Sequence, residues 1–362
     1  MTAIKKWNIV SVLTILVLVA TACAPAAATP QAPVVPPTAQ VIVQTQVVEK
    51  PVIQTVVVQA PTQAPYDCTK ANMAYISFGS QFPYIAKVDK SMQDAAKAAG
   101  INLLFLDNKN DAAQAMTNAQ TVASRGNVNL VFEFNYYQEE NPAIAEIFAT
   151  AKIPVIAIDI PLPGAPYYGA NNYVAGELAG QGLVDAAKAK WGGDNPVDLF
   201  MVETQKAAGS GLLLDRTNGI IAGVQKALPN LPKDAIVQFE GGTNPDAAAT
   251  GATTVLTAHP NAKHVIVGML GDSNAVAVLN AAQAANRDIL ASGIGGDDVG
   301  IAALRTGKPA GFVGTTLFFP ENYGKDLIPM ACQLLAGKQV PADVYIKHAF
   351  LTAQNLNQYY PQ

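Results

Sequence analysis

From Ala71 onward one pattern governs the chain: a short β-rich apolar run, then an Ala-rich helical segment, repeated roughly every 25–35 residues. The runs are Met73–Phe78, Asn102–Leu106, Val128–Phe134, Val155–Ile158, Val197–Val202, Ile236–Phe239, His264–Met269, Ile289–Ile294 and Phe312–Phe318. Between the first two, Tyr84–Ala99 reads as a helix. Val88, Met92, Ala95 and Ala99 share one face, and Gly100 suits a left-handed C-cap. Asn141-Pro142 opens another helix with Pro in its first turn. Strands that are apolar throughout and alternate with helices imply parallel sheets covered on both faces. With half the residues hydrophobic, there is material for more than one core. Two doubly wound domains are the economical arrangement. A closed eight-stranded barrel competes, but it calls for eight βα units and leaves the break at Pro161–Pro166 without a purpose.

Several function classes fall away. Lys+Arg is 23 against Asp+Glu 27, a net charge of −4, the wrong sign for a nucleic-acid binder. Three cysteines exclude a disulfide framework and a four-cysteine zinc site, and His259, His264 and His348 are scattered, so no metal and no cofactor is expected. There is no phosphate loop, no H-E-x-x-H, no G-x-S-x-G and no C-x-x-C. Gly209-Ser210-Gly211 and Gly293-Ile294-Gly295-Gly296 fail the dinucleotide spacing. Asp297-Asp298 reads as a helix cap with a ligand contact before it reads as a catalytic pair. An enzyme is therefore not expected.

The N-terminus reads as an address. Lys5 and Lys6 precede Trp7–Ala22, an uncharged and mostly apolar run too short to span a bilayer, and Cys23 follows. Val19-Ala20-Thr21-Ala22-Cys23 resembles a bacterial lipobox, which implies a signal peptide over 1–23 and a diacylated Cys23. Two acyl chains suffice for stable anchoring. Residues 24–66 are rich in Pro, Ala, Thr, Gln and Val, with two imperfect copies of a Val/Gln/Thr segment and no helical face. They read as a tether, extending up to ~3.1 Å per residue, on the order of 100 Å.

In open parallel sheets ligands bind in the crevice at the carboxyl ends of the strands. The loops there are Phe78–Tyr84 (holding Gln81 and Phe82), Phe134–Gln138 (holding Asn135), Asp159, Glu203–Gln205 with Arg216 beyond, Gly241–Asp246 (holding Thr243 and Asn244), Gly271–Asn274 (holding Asp272), Gly295–Asp297, and Phe318–Pro320. Aromatic faces, amides and carboxylates with one Arg suit a small neutral polyol better than a phosphate.

At these loops the sequence resembles the ribose/galactose-type periplasmic sugar-binding proteins of ABC transporters, from about Asn72 to Tyr345. The resemblance rests on Phe82-Pro83-Tyr84, Pro154–Asp159, Asp215–Gly219, Leu256–Pro260, Gly271-Asp272 and Phe319–Gly324, in that order. It implies a periplasmic binding protein of type I: two doubly wound α/β lobes, three hinge crossings, and closure around one monosaccharide. The expected division is 67–171 with 319–346 as the N-terminal lobe and 172–318 with 347–362 as the C-terminal lobe. By position, Tyr84 stacks on the ligand, Asn135 and Asp159 bind hydroxyls from the first lobe, and Arg216 does so from the second. Gln81, Phe82, Thr243, Asn244, Asp272, Asp297 and Phe318 complete the candidate set. Ile160, Gly271, Gly295 and Phe318 depart from the family's polar residues, which points to a deoxy-, methylated or otherwise less polar ligand; Asp297 is the candidate to replace the Asp that Gly295 displaces. The family topology returns Cys332 to the lobe that holds Cys68, which implies a bridge between them.

Each of these residues also has a plainer role. Phe82 and Tyr84 could be core or hinge packing, Arg216 half of an ion pair near Asp215, Asp272 a helix cap, and Asn135 a brace for its own loop. The expected partners are a monosaccharide, an ABC permease and the membrane through the lipid anchor, with the chain a monomer outside the cytoplasm. The alternatives are a ligand-presenting subunit of a chemosensory or signalling receptor and, further off, a surface carbohydrate enzyme using Asp297 or Asp298.

Overall fold

A computed structural model of the chain describes residues 67–205, 211–242 and 244–361. The signal segment with Cys23, the tether and Thr243 lie outside the described residues.

The chain runs β1 (Asn72–Ser77), α1 (Pro83–Ala98), β2 (Asn102–Asp107), α2 (Ala112–Ser124), β3 (Leu130–Glu133), α3 (Asn141–Thr150), β4 (Val155–Ile158) and β5 (Tyr167–Gly169). It continues through α4 (Asn172–Trp191), β6 (Leu199–Thr204), α5 (Gly211–Ala227), β7 (Ile236–Glu240), α6 (Pro245–Ala258), β8 (Val265–Gly268), α7 (Asp272–Ala284), β9 (Ile289–Gly295), α8 (Asp298–Thr306) and β10 (Phe312–Leu317). It ends with α9 (Tyr323–Leu335), β11 (Asp343–Tyr345), β12 (Phe350–Leu351) and the short α10 (Leu356–Tyr359).

The strands form two open sheets, ordered β11-β5-β4-β3-β1-β2 and β12-β10-β9-β8-β6-β7. The first is parallel throughout. The second is parallel except for β12, which runs antiparallel against β10. The expected parallel sheets are present, and the second adds one antiparallel edge strand, where a two-residue strand arriving from the other lobe needs no crossover helix. Two open sheets rule out the barrel. All nine apolar runs are strands. The structure adds β5, β11 and β12, which at two or three residues are too short to carry a period-2 signature.

Each sheet is covered on both faces by buried clusters. In the first lobe Tyr75, Phe132 and Ile156 face one side, and Ile76, Val131 and Ala157 face the other. In the second lobe Phe200 and Ile266 oppose Met201 and Val267. This is the alternation a strand imposes when both faces are dry.

Local chemistry starts the helices at the carboxyl ends of the strands. Asp111, Asn171, Asn244 and Asp297 accept a backbone N–H from the first turns of α2, α4, α6 and α8. Gly100 ends α1 in the left-handed region. Cys68 and Cys332 are joined by a disulfide with Cα atoms 5.6 Å apart, tying the turn before β1 to α9. The chain passes between the sheets three times, at Ala170–Asn172, at Leu317–Phe319 and at Ile346–Ala349.

Candidate functional site

In both sheets the strand order reverses between the first strand of the lobe and its neighbour, β1/β3 and β6/β8. The two reversal points and the crossings define a cleft. Tyr84 of α1 and Tyr136 beyond β3 each pack against a core cluster of both lobes, and Leu212 of α5 reaches the first lobe's core. Lys87 of α1 pairs with Asp298 of α8 across the rim at 2.6 Å.

The first-lobe wall centres on Asp159. The tight turn after β4 puts this residue in the left-handed region, φ 56°, which Asp tolerates better than most side chains. Its carboxylate accepts from Tyr323 Oη at 2.8 and 3.0 Å, from Tyr84 Oη at 3.1 Å and from the Ala170 N–H at 3.1 Å. Tyr84 and Tyr323 hydroxyls are 2.6 Å apart. Either hydroxyl can be the donor across this contact, and the other then gives its one proton to Asp159. Burial raises Asp159 above the usual carboxylate range, opposed by the bonds from Tyr323, Ala170 and Tyr84 and by the charge of Arg216. Burial and the nearby Asp159 charge push both tyrosines well up, so they remain hydroxyl donors.

The second-lobe wall centres on Arg216. Nε and Nη2 donate to Asn172 Oδ1 at 2.9 and 2.6 Å, and Nη1 donates to the Leu270 carbonyl at 2.7 Å. The guanidinium lies over the Phe318 ring, 5.0 Å from its centroid. Tyr84 meets the same ring edge-on at 6.0 Å. Three of five guanidinium N–H groups are used, leaving two. The reach to Asn172 depends on how tightly α4 and α5 pack. A Cβ on Gly176 would strike the Arg216 carbonyl, and one on Gly219 would strike the Tyr173 carbonyl. Glu203, at the end of β6, holds this wall from behind. It accepts from the Leu270 N–H at 2.8 Å and from Asn274 Nδ2 at 2.7 Å.

Tyr84, Asp159, Arg216 and Phe318 are thus brought together. The remaining candidates are placed elsewhere in the loops. Asn135 is buried, and its amide is bonded to Asn141 and to the Tyr137 backbone, the brace for its own loop. Phe82 stacks on Phe78 at 5.5 Å. Gln81 is exposed and lies over Gly79. Asn244 is an exposed cap of α6. Asp297 caps α8 through the Gly300 N–H and accepts from Ser273. Asp272 is buried where a Cβ on Gly293 or Gly300 would meet it, and it accepts the Asp297 N–H. Burial and the Asp297 charge raise it. Arg216 takes an amide, a carbonyl and a ring rather than an ion pair, and Asp215 is exposed.

Sequence reasoning did not assign Tyr323, Asn172 or Glu203 to the site. Tyr323 lies inside the Phe319–Gly324 segment, where a hydroxyl-bearing ring three residues past Pro320 was the available signal. Asn172 follows β5, a strand too short to recognise, so its loop went unread.

Two open α/β lobes joined by three crossings, with polar walls facing across a cleft, define a clamshell binding protein. The model of the periplasmic binding protein domain matches residues 73–339. The chain belongs to that family, a family of binding proteins rather than enzymes. It is similar to the ribose import binding protein of Salmonella typhimurium, at 25% identity over 72% of this chain and 83% of that protein. It is also similar to the L-arabinose-binding periplasmic protein of an ABC transporter from Azospirillum brasilense, at 26% identity over 54% and 58%. Among solved structures, a Mycobacterium smegmatis ABC transporter solute-binding protein with bound glycerol matches with a TM-score of 0.68 and 23% identity, covering 81% of this chain and 97% of that one. The myo-inositol-binding protein of Caulobacter matches with a TM-score of 0.68 and 19% identity, covering 82% and 98%.

Proposed function

We propose that the chain is an extracytoplasmic solute-binding lipoprotein. It captures a monosaccharide or related polyol between lobes 67–171 with 319–346 and 172–318 with 347–362, and delivers it to an ABC permease. Cys23 carries the lipid anchor. The observation that carries this reading is the pairing of the Asp159–Tyr84–Tyr323 network with Arg216 over Phe318. Asp159 and Arg216 offset each other's charge, which suits a neutral ligand. Carboxylate, phenol and guanidinium together supply acceptors and donors for paired hydroxyls, and Tyr84 and Phe318 supply faces for C–H surfaces. Gly271 and Gly295 contribute no side chain, and Gly295 has φ 128°, a conformation in which another residue is strained. The second wall is therefore less polar than the first, in keeping with a deoxy- or methylated sugar. The relatives that bind ribose, L-arabinose and myo-inositol support the ligand class.

The test is a thermal-shift screen against pentoses, hexoses, deoxysugars and polyols. A ligand at ~100 times its Kd adds ~2.7 kcal/mol of stability. At least one member is expected to raise Tm by several degrees. A flat panel rejects the reading.

A further inference from the structure

His348 lies on the third crossing, and its ring joins the other two. Nε2 accepts the Asn171 backbone N–H of the first crossing at 3.1 Å. Nδ1 lies 3.0 Å from the Leu317 carbonyl of the second. An acceptor at Nε2 requires the proton on Nδ1, so the ring is the neutral Nδ1–H tautomer donating to Leu317. Backbone bonds run alongside, from Ile346 N–H to the Gly169 carbonyl at 2.9 Å and from Leu317 N–H to the Ala349 carbonyl at 2.8 Å. The imidazole also backs Phe318, with ring centroids 5.0 Å apart, while Arg216 covers that ring at 5.0 Å from its centroid. Asn171 caps α4, so its own N–H lies outside the helix ladder and depends on the imidazole for an acceptor.

We propose that His348 is a positioning residue of the hinge: in its neutral form it clasps all three crossings and backs the ring under Arg216, and a second ring proton releases the first crossing. Protonation turns Nε2 from acceptor to donor. It would then face the Asn171 N–H, leaving two donors and no acceptor. The groups around the ring do not offset that charge. Asn171, Leu317 and Phe318 bring none, Lys347 beside it is exposed, and the charged group that acts on it from α5 is Arg216, of the same sign. Burial holds His348 below its ordinary value; the Leu317 carbonyl opposes this and Arg216 adds to it. A released ring titrates near ~6.5. The clasp is therefore at full strength above that value and is lost as pH falls through the lower value of the clasped ring.

The test uses the full chain without any sugar, so its outcome is separate from that of the ligand screen. NMR-detected exchange of the Asn171 amide, corrected for intrinsic rate, is followed from pH 7.5 to 5.0 in the wild type and in His348→Gln, whose carboxamide oxygen accepts the same N–H without titrating. Wild-type protection is expected to fall about tenfold, the worth of one hydrogen bond, while His348→Gln stays flat. The ring 15N shifts at pH 7.5 report the Nδ1–H tautomer. Should His348→Gln fail to fold, the wild-type profile and the ring tautomer decide. Wild-type protection that does not change with pH, or an Nε2–H tautomer, overturns the proposal.

Discussion

The two lobes repeat one strand order but handle buried charge differently. Glu133 and Glu203 are both fully buried near the carboxyl ends of central strands. Glu203 is bonded to Leu270, Asn274 and Gln205 and backs the wall that holds Arg216. Glu133 has no hydrogen-bond partner for either carboxylate oxygen among the described residues. The first lobe instead concentrates its polar bonds at Asp159, Tyr84 and Tyr323, and it alone carries the disulfide. The second lobe presents one guanidinium on an aromatic ring, with glycines beside it. The lesson is a division of labour: the first lobe is the stapled half with the denser hydrogen-bonded wall, and the second is the lighter, less polar half that faces it.

The largest expected effect tests the staple. Cys68→Ser with Cys332→Ser should destabilise the first lobe by about 2–5 kcal/mol, separating its melting from that of the second lobe in calorimetry. A single unshifted transition would break the contrast. Next, Arg216→Ala should weaken sugar binding by about 1.5–3 kcal/mol through lost charged hydrogen bonds, with the unliganded Tm also lowered because Asn172 and Leu270 lose their donors. Unchanged affinity by calorimetric titration would remove the second wall from the site.

Glu133→Gln sharpens the comparison of the two glutamates. Burial raises Glu133 well above the usual range, so the folded lobe keeps its proton to higher pH than the unfolded chain. The resulting stability is fully present below the unfolded value of ~4.3 and is lost as pH rises through the folded one. The variant should therefore be more stable than wild type at pH 8, on the order of 1 kcal/mol, and equal to it at pH 4. Equal melting curves at both pH values would show that Glu133 is not an orphan. The smallest effect concerns the rim. Lys87→Met should cost about 0.2–1 kcal/mol of closure and reduce the salt dependence of affinity.

How much was legible follows the same physics. Strands buried on both faces announce themselves as apolar runs, so both sheets and Asp159 at the end of β4 could be read directly. Arg216 and Tyr84 came through resemblance, and the structure brings them to the two facing walls. The remainder was hidden where structure depends on short or edge elements: β5 concealed Asn172, and the third crossing concealed His348. Asn135, Asn244 and Asp297 show the converse ambiguity. Polar residues at strand ends look like ligand contacts, yet helix starts and tight loops need the same side chains for backbone N–H groups.

The central claim is that the halves move together over a neutral sugar. Small-angle scattering of the full chain, with and without the sugar that gives the largest thermal shift, tests it most directly. A smaller radius of gyration on binding, absent in Arg216→Ala, is the predicted result; identical profiles with saturating ligand would contradict it.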